Sequence, residues 1–335
     1  MPTLNDVAQF AGVSTCTVSR VLANKNYISD KTRQRVLEAV DELGYRPNQL
    51  AKSLKLGRSN TIALIIPSIQ NQIFPDITKG VEDFARKSGF TVVLCNTDED
   101  IEIEKEYIEK LRTRLTDGFI IASMTSDSAH VRKLRSEGFP VVLTGRVYDD
   151  SIDAVAIDNV QAAYDATRYL IGSGHQAIAL AMGRQEISIY ADRLVGYQRA
   201  LEESGLVFDE SLIMYETNGS ASFYALTTQM LHSGRKIDAI LATSDAKALA
   251  AMRAILDYGC SIPDDISVMG IDNVEISALI EPPLTTVSQP LYDIGVLAAK
   301  RLIEQINHKE KFSELKPPHI DLLSTELIIR KSTRQ

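Results

Sequence analysis

Short apolar runs alternate with amphipathic helical patterns from residue 61 to residue 272, and this alternation determines the class of fold. Strands that alternate with helices form parallel sheets with right-handed crossovers, so the pattern predicts an α/β protein. The runs fall into two series, which indicates two similar lobes. The first series is TIALIIP (61–67), FTVVLCN (90–96), GFIIA (118–122), PVVLT (140–144) and AVAID (154–158), and the second is AIALAMG (177–183), LIMY (212–215), DAILATS (238–244) and ISVMGID (266–272).

Amphipathic helices are predicted between these runs, among them 76–88, 101–114, 190–203 and 245–257. A further helix near 291–307 and a strand near 322–329 follow both series. We expect these last elements to cross back between the lobes, so that several chain segments rather than one tether join them.

Composition indicates a folded, soluble protein of two or three domains, since 44% of the 335 residues are hydrophobic and 24% are charged. The start, MPTLNDVAQF, lacks the basic and apolar regions of a secretion signal, and no apolar run is long enough to span a membrane. A cytoplasmic location is therefore expected. Cys16, Cys95 and Cys260 match neither a disulfide framework nor a zinc spacing, so no metal site is predicted.

Charge is distributed unevenly along the chain. The net charge is −8, but residues 1–58 hold nine basic and five acidic side chains, a balance of +4 that leaves −12 for the rest. A basic N-terminal segment on an acidic body suggests a small anion-binding module.

The N-terminal segment is predicted to form three short helices. Thr3 caps the first helix, with Asp6 three residues later, and Gly12 ends it. Ser14 caps the second helix and Ser29 the third. Two short helices joined by a glycine turn and backed by a third form a helix-turn-helix, whose second helix can enter the major groove of DNA.

The second helix has two distinct faces. Its apolar stripe is Val18, Val21 and Leu22, and the opposite face holds Thr15, Cys16, Ser19 and Arg20. An arginine there can donate two hydrogen bonds to guanine O6 and N7. The alternative is an ordinary three-helix surface with a solvated arginine.

The next segment, NQLAKSLKLGRSN (48–60), is too short for a stable free helix. One interpretation is a segment that becomes ordered on DNA, with Leu54 as an apolar wedge in the minor groove and cations such as Lys55 on phosphates. The other is a simple linker.

A ligand site is expected beyond the carboxyl ends of the parallel strands, where open α/β sheets bind ligands. Aspartate, asparagine and arginine at such positions suit hydroxyl pairs and carboxylates, which predicts a polar ligand such as a sugar or sugar acid. Solvated loop ends are the alternative. The residues that follow the runs are 68–74, Ser123, Arg146, Arg184, Asn218, Ser244, Asp245, Asp272 and Asn273.

Enzyme chemistry is poorly supported. The sequence contains no dinucleotide-binding, Walker, nucleophile-elbow or HExxH motif, and its five histidines show no ligand spacing. We predict a protein that is not an enzyme and uses no cofactor. A solute-binding receptor and a sugar-modifying enzyme on the same scaffold are the rivals.

Two N-terminal stretches, TLNDVAQFAGVSTCTVSRVL (3–22) and SDKTRQRVLEAVDELGYRPNQLAKSL (29–54), resemble the DNA-binding head and hinge of the LacI/GalR family of bacterial transcription regulators. The similarity continues through NQIFPDITKGVEDFA, RLVGYQRAL, ATSDAKALAAM and IPDDISVMGIDN and covers nearly the whole chain. It implies a repressor that binds a near-palindromic double-stranded operator as a homodimer. It also implies a two-lobed body like the type I periplasmic sugar-binding proteins, with two doubly wound parallel sheets, under allosteric control by a small effector or, alternatively, by a protein corepressor.

The resemblance implies a division of the chain into a helix-turn-helix head (residues 1–46), a hinge (47–59) and an effector-binding and dimerisation body (60–335). Within the body, the N-lobe is expected at about 60–158 and 291–320 and the C-lobe at about 159–290 and 321–335.

The resemblance also implies functional residues. Those expected at DNA are Ser14, Thr15, Cys16, Thr17, Ser19, Arg20, Leu54 and Lys55, and those expected at the effector are Phe74, Arg146, Arg193, Asn218, Asp245 and Asp272.

Departures from the family pattern occur at both sites. Cys16 replaces a more usual threonine or larger polar residue, Gly145 stands where many members have aspartate, and Asn218 stands where several have an aromatic residue. Compared with the family pattern, fewer acidic side chains and more arginines are therefore expected around the effector. This favours an anionic ligand such as a sugar acid.

Overall fold

The computed structural model describes residues 2–22, 27–46, 58–113, 116–122, 129–145, 149–184, 187–216, 222–312 and 314–334. The chain forms two compact units, Met1–Ser59 and Asn60–Gln335. Within the described ranges, no helix has the length and apolar character needed to cross a membrane.

The N-terminal unit contains three helices, α1 (Leu4–Ala11), α2 (Thr15–Leu22) and α3 (Asp30–Glu42). The predicted cap of α1 is present, since the Asp6 backbone N–H donates to Thr3 Oγ1 and the Thr3 N–H donates to Asp6 Oδ2. Gly12 ends α1 in the left-handed conformation, with φ of 61°, which glycine adopts without steric cost. Fully buried valines from all three helices form the core of the unit, and the predicted helix-turn-helix is confirmed.

The body contains two six-stranded sheets. The first sheet has the strand order β11-β5-β4-β3-β1-β2, with every neighbouring pair parallel. Its strands are β1 (Thr61–Ile66), β2 (Thr91–Asn96), β3 (Gly118–Ile121), β4 (Val141–Thr144), β5 (Asp153–Ile157) and β11 (Ile320–Leu323).

The second sheet has the order β12-β10-β9-β8-β6-β7. All of its pairs are parallel except β10 with β12, where Val287 lies opposite Leu327 in an antiparallel register. Its strands are β6 (Ile178–Met182), β7 (Ile213–Tyr215), β8 (Ala239–Ala242), β9 (Ser267–Asp272), β10 (Thr285–Ser288) and β12 (Glu326–Ile328).

Helices flank both sheets and occupy the predicted crossovers. They are α4 (Phe74–Lys87), α5 (Ile101–Arg112), α6 (Ala129–Ser136), α7 (Asn159–Gly172), α8 (Ser188–Glu203), α9 (Phe223–His232), α10 (Asp245–Asp257), α11 (Ile276–Leu279) and α12 (Leu291–Phe312), with a short 3₁₀ turn at Glu210–Leu212.

The C-terminal segment differs from the prediction. The single strand expected near 322–329 is two strands, β11 in the first sheet and β12 in the second. The first sheet therefore takes residues up to 323, rather than to about 320. The described chain crosses between the sheets three times: from β5 to β6, from β10 through α12 to β11, and from β11 to β12.

Two helix pairs pack at very close range because glycines lie at their contacts. A Cβ atom at Gly80 of α4 would lie 2.1 Å from the backbone oxygen of Tyr292, and one at Gly295 of α12 would lie 2.1 Å from that of Ile77. The α7–α8 pair repeats this contact, since a Cβ at Gly196 would lie 2.1 Å from the oxygen of Val160. Among the described residues, each lobe thus has a helix pair whose backbones pack in direct contact.

Candidate functional sites

The outer face of α2 is the candidate DNA-binding surface. Thr15, Cys16, Ser19 and Arg20 are exposed on it, while Val18 and Val21 are buried in the core. This is the division of faces that the sequence predicts. The four exposed side chains lie within about one and a half turns of helix, so all four can enter one groove of DNA together.

Ser14 and Thr17 hold the start of α2. The Thr17 backbone N–H donates to Ser14 Oγ at 3.2 Å, and the two hydroxyl oxygens are 2.9 Å apart. Ser14 thus caps the helix by accepting from the Thr17 N–H, and the Thr17 hydroxyl supports it.

Tyr27 is a neighbour of Arg20 that the sequence reasoning missed. The Arg20 guanidinium carbon lies 5.8 Å from the centre of the Tyr27 ring, and this tyrosine is 70% exposed. A cation–π contact of this kind restricts the arginine without covering it. Leu54 and Lys55, the predicted hinge contacts, lie outside the described residues.

A cavity of about 370 Å³ lies between the carboxyl ends of the two sheets, and we call it the interlobe cavity. Pro67, Ala122 and Thr144, at the ends of β1, β3 and β4, line one side of the cavity. Ser244 and Asp272, at the ends of β8 and β9, line the other. The volume falls in the range of small-molecule sites. The cavity thus lies at the carboxyl ends of the parallel strands, where the sequence predicts a ligand site.

Arg193 on α8 lines the interlobe cavity although it is only 3% exposed. Its Nε donates to Asn159 Oδ1 at 3.0 Å, and its Nη1 donates to the backbone oxygen of Thr243. These two bonds fix the plane of the guanidinium group at the wall. A fixed guanidinium presents a directed pair of donors to a hydroxyl or carboxylate oxygen.

Asp272, at the end of β9, also lines the interlobe cavity. Its Oδ1 accepts a hydrogen bond from Gln289 Nε2 at 2.7 Å. Burial raises the pKa of Asp272 to about 7, the Arg193 charge opposes that rise, Asp245 adds to it, and Lys247 opposes it more weakly. A carboxyl group poised in this way can accept from a ligand hydroxyl when ionised or donate when protonated.

The raised pKa of Asp272 predicts a stability that depends on pH. An unfolded aspartate has a pKa near 3.9, so between about pH 4 and pH 7 the folded state holds a proton that the unfolded state releases. The free energy of unfolding should therefore fall as pH rises through this interval. In Asp272→Asn the fall should be smaller, as measured by urea unfolding at pH 5 and pH 7.5. Asp264→Asn, at an exposed aspartate, is the control and should follow the wild type; equal slopes in all three proteins would contradict the prediction.

Asp245 was predicted to contact the effector, but its carboxylate does not line the interlobe cavity. The side chain is fully buried, its Oδ1 accepts from Thr286 Oγ1 at 2.5 Å, and its Oδ2 accepts from the Val274 backbone N–H at 3.0 Å. Asp245 thus holds the chain that follows Asp272. Its neighbours Ser244 and Lys247 lie on the cavity wall instead.

The other residues that were expected near the effector fall into three groups. Phe74 lines the interlobe cavity, as do Gln70 and Asn71 of the same loop and Arg184 after β6. Arg146 and Asn218 lie outside the described residues, as does Ser123. Asn273 points away from the cavity, with its Oδ1 accepting from Arg330 Nη2 at 2.7 Å.

An ion pair joins the two lobes beside the cavity. Arg184 Nη2, after β6 of the second sheet, lies 2.8 Å from Glu99 Oε2, after β2 of the first. The described wall of the interlobe cavity holds as many acids as bases: Glu99, Glu216 and Asp272 against Arg184, Arg193 and Lys247. The expectation of fewer acids and more arginines than the family pattern stays a prediction, since Arg146 lies outside the described residues.

A helix-turn-helix unit followed by a two-lobed body with a polar cavity defines a class of protein, the DNA-binding regulators that hold a small effector between two α/β lobes. Two family models match the chain. The model for bacterial regulatory proteins of the lacI family matches residues 3–48, and the model for periplasmic binding proteins and the sugar-binding domain of the LacI family matches residues 59–323. The chain belongs to the LacI family of bacterial transcription regulators, and the resemblance found in the sequence is confirmed.

Individual relatives match over the full length. The chain is 37% identical over 332 residues to the HTH-type transcriptional regulator RegA of Clostridium saccharobutylicum, with 98% of each protein covered. It is 36% identical over 339 residues to the ribose operon repressor of Halalkalibacterium halodurans, with 100% of this chain and 98% of that protein covered. The crystal structure of the Lac repressor dimer bound to operator and the anti-inducer ONPF has a TM-score of 0.88 and 29% identity, with 100% of this chain and 99% of that chain covered.

Proposed function

We propose that this regulator is a cytoplasmic repressor, without enzymatic activity, that binds a near-palindromic operator as a homodimer and is controlled by a polyhydroxylated small molecule in the interlobe cavity. The observation that carries the proposal is the placement of Arg193 and Asp272 on the wall of one cavity. A guanidinium donor beside a carboxyl group suits a pair of ligand hydroxyls.

The relatives support the dimer and the effector. One solved relative is a repressor dimer on its operator, and one curated relative is the repressor of a ribose operon. A bacterial DNA target also supports the cytoplasmic location. We extend the proposal to residues 47–59, with Leu54 as the minor-groove wedge and Lys55 at phosphate.

The proposed mechanism is a shift between two states of the body. An effector that closes the lobes changes the distance between the two hinges of a dimer, and DNA affinity changes by the coupling free energy, typically about 1–3 kcal/mol. An effector that prefers the DNA-binding state acts as a corepressor, and one that prefers the other state acts as an inducer.

The test combines ligand binding with DNA binding on the full-length protein. The operator is first selected from a random DNA library, and thermal unfolding is then measured with a panel of sugars, sugar acids, sugar phosphates and nucleobases. A ligand at one hundred times its Kd should add roughly 2.7 kcal/mol to the stability of the wild type. Arg193→Ala should lose this shift, whereas Arg253→Ala, at an exposed arginine of α10, should keep it.

The same ligand should then change operator affinity. An equal shift in Arg193→Ala would place the binding site elsewhere, and chemical turnover of the ligand would show an enzyme. A panel without any active ligand, together with operator binding that requires a second protein, would favour the corepressor alternative.

A further inference from the structure

Lys247 is a cation on the cavity wall that the proposed function does not use. It lies in the first turn of α10, three residues after the N-cap Ser244, and its side chain is only 12% exposed. Arg193 and Asp272 line the same cavity. A lysine ammonium that has lost most of its water is costly unless strong acceptors replace that water.

The contacts of the Lys247 ammonium are weak ones. Its Nζ lies 3.2 Å from the Tyr190 hydroxyl and 3.4 Å from Ser244 Oγ, both of which are neutral. Its ionic neighbour, Glu216, has Oε2 at 3.6 Å, outside hydrogen-bond distance, and the side chain of that glutamate is 42% exposed. Charge-assisted hydrogen bonds to lysine are normally shorter than 3 Å. Among the described residues, therefore, Lys247 has no short contact with a carboxylate.

Aromatic rings hold the ammonium in this position. Nζ lies 4.7 Å from the ring centre of Tyr190 and 5.2 Å from that of Phe223. The Tyr190 ring in turn occupies space that only glycine leaves free, because a Cβ at Gly183 would lie 2.2 Å from a ring carbon. Cation–π contacts stabilise the charge while leaving its N–H groups able to donate to another partner.

Arg193, Asp272 and Lys247 line one cavity of about 370 Å³, a volume that suits a single small molecule. One small molecule can therefore meet all three. We propose that Lys247 binds an anionic group of the effector, a carboxylate or a phosphate, and thereby selects an acidic sugar over the neutral sugar of the same carbon skeleton.

This inference rests on the proposed function, because it names the effector class of the same cavity. The described wall holds equal numbers of acidic and basic side chains, so the preference for an anion depends on Lys247 and not on an excess of positive charge. Glu216 is the group that the incoming anion displaces: it is mostly solvated and 3.6 Å from Nζ, so it can withdraw into water at small cost.

The test is calorimetric titration of the full-length protein with matched pairs: gluconate and glucose, galactonate and galactose, glucose 6-phosphate and glucose, and ribose 5-phosphate and ribose. We expect the wild type to bind one acidic member about ten- to a hundredfold more tightly than its neutral partner, the range of a hydrogen bond to a charged group. The aldonate and phosphate arms decide between carboxylate and phosphate.

Variants assign the preference to Lys247. Lys247→Met keeps the length of the side chain and should abolish the preference by weakening the acid alone, while Lys247→Arg should retain it. Glu216→Gln leaves Lys247 intact and should strengthen binding of the acid. Lys236→Met, at an exposed lysine of the same lobe, is the matched control and should behave as the wild type.

The outcomes separate this inference from the proposed function. Neutral sugars that bind as tightly as acids, with Arg193→Ala abolishing both, would overturn the role of Lys247 and leave the proposed function in place. An acid preference that persists in Lys247→Met would also overturn it. Absence of binding by every member of the panel would overturn both proposals.

Discussion

Replacing Gly295 with alanine should lower the free energy of unfolding of the body by about 3 kcal/mol, the upper end of the usual cost of overpacking. The new Cβ would lie 2.1 Å from the Ile77 carbonyl oxygen and 3.0 Å from the Val81 backbone nitrogen. Both neighbours are backbone atoms of α4, so no change of rotamer relieves the clash. The two helices must separate, and the buried side chains between them then lose contacts.

Urea unfolding of the full-length protein measures this effect, with Gly172→Ala as the control. Gly172 is also helical, at the end of α7, but a Cβ there would meet nothing within 4 Å. That substitution should stabilise the protein by roughly 0.5–1 kcal/mol, because alanine loses less backbone entropy than glycine. A Gly295→Ala protein as stable as the wild type would contradict the close packing of α4 and α12.

Arg20→Ala should weaken operator binding by about 1–3 kcal/mol and relax the preference at one base pair. The side chain is exposed on α2 and lies beside the Tyr27 ring, and we expect it to make a bidentate contact with guanine. Fluorescence anisotropy against the selected operator, and against operators changed at single base pairs, measures both effects.

The control for Arg20 separates base recognition from charge. Lys31→Ala removes an exposed cation at the start of α3, and we expect it to weaken binding to operator and unrelated DNA by similar factors. Arg20→Ala should instead affect the operator far more than unrelated DNA. Similar losses on both DNAs would show that Arg20 contributes only its charge.

Much of the fold could be predicted because local signals agree with it. The helices expected at 76–88, 101–114, 190–203 and 245–257 are observed within two residues of those bounds. Caps and a helical period fix such elements locally. The C-terminal strands were not separated, because residues 320–329 show one extended pattern and the change of sheet depends on partners far away in the sequence.

The cavity wall was predicted less completely. Position after a strand indicates which edge of the sheet a residue reaches, and this located Asp272 and Ser244. It does not indicate where a side chain points: Asp245 also follows a strand, yet its carboxylate accepts a hydrogen bond from Thr286 and does not line the cavity. Lys247 was missed because a lysine in the first turn of a helix has the same sequence pattern as any solvated helix charge.

The three crossings between the sheets determine when each lobe can be completed during synthesis. The edge strand β11 and the helix α12 belong with the first sheet, yet they follow five strands of the second sheet in the chain. At about 5–20 residues per second, roughly 15–50 s pass between the emergence of residue 60 and that of residue 323 from the ribosome. The second sheet receives β12 only a few residues later. The head can therefore fold early, whereas both lobes are completed almost together once β11 and β12 have emerged. The face of α4 that packs against α12 stays uncovered until α12 itself has been made.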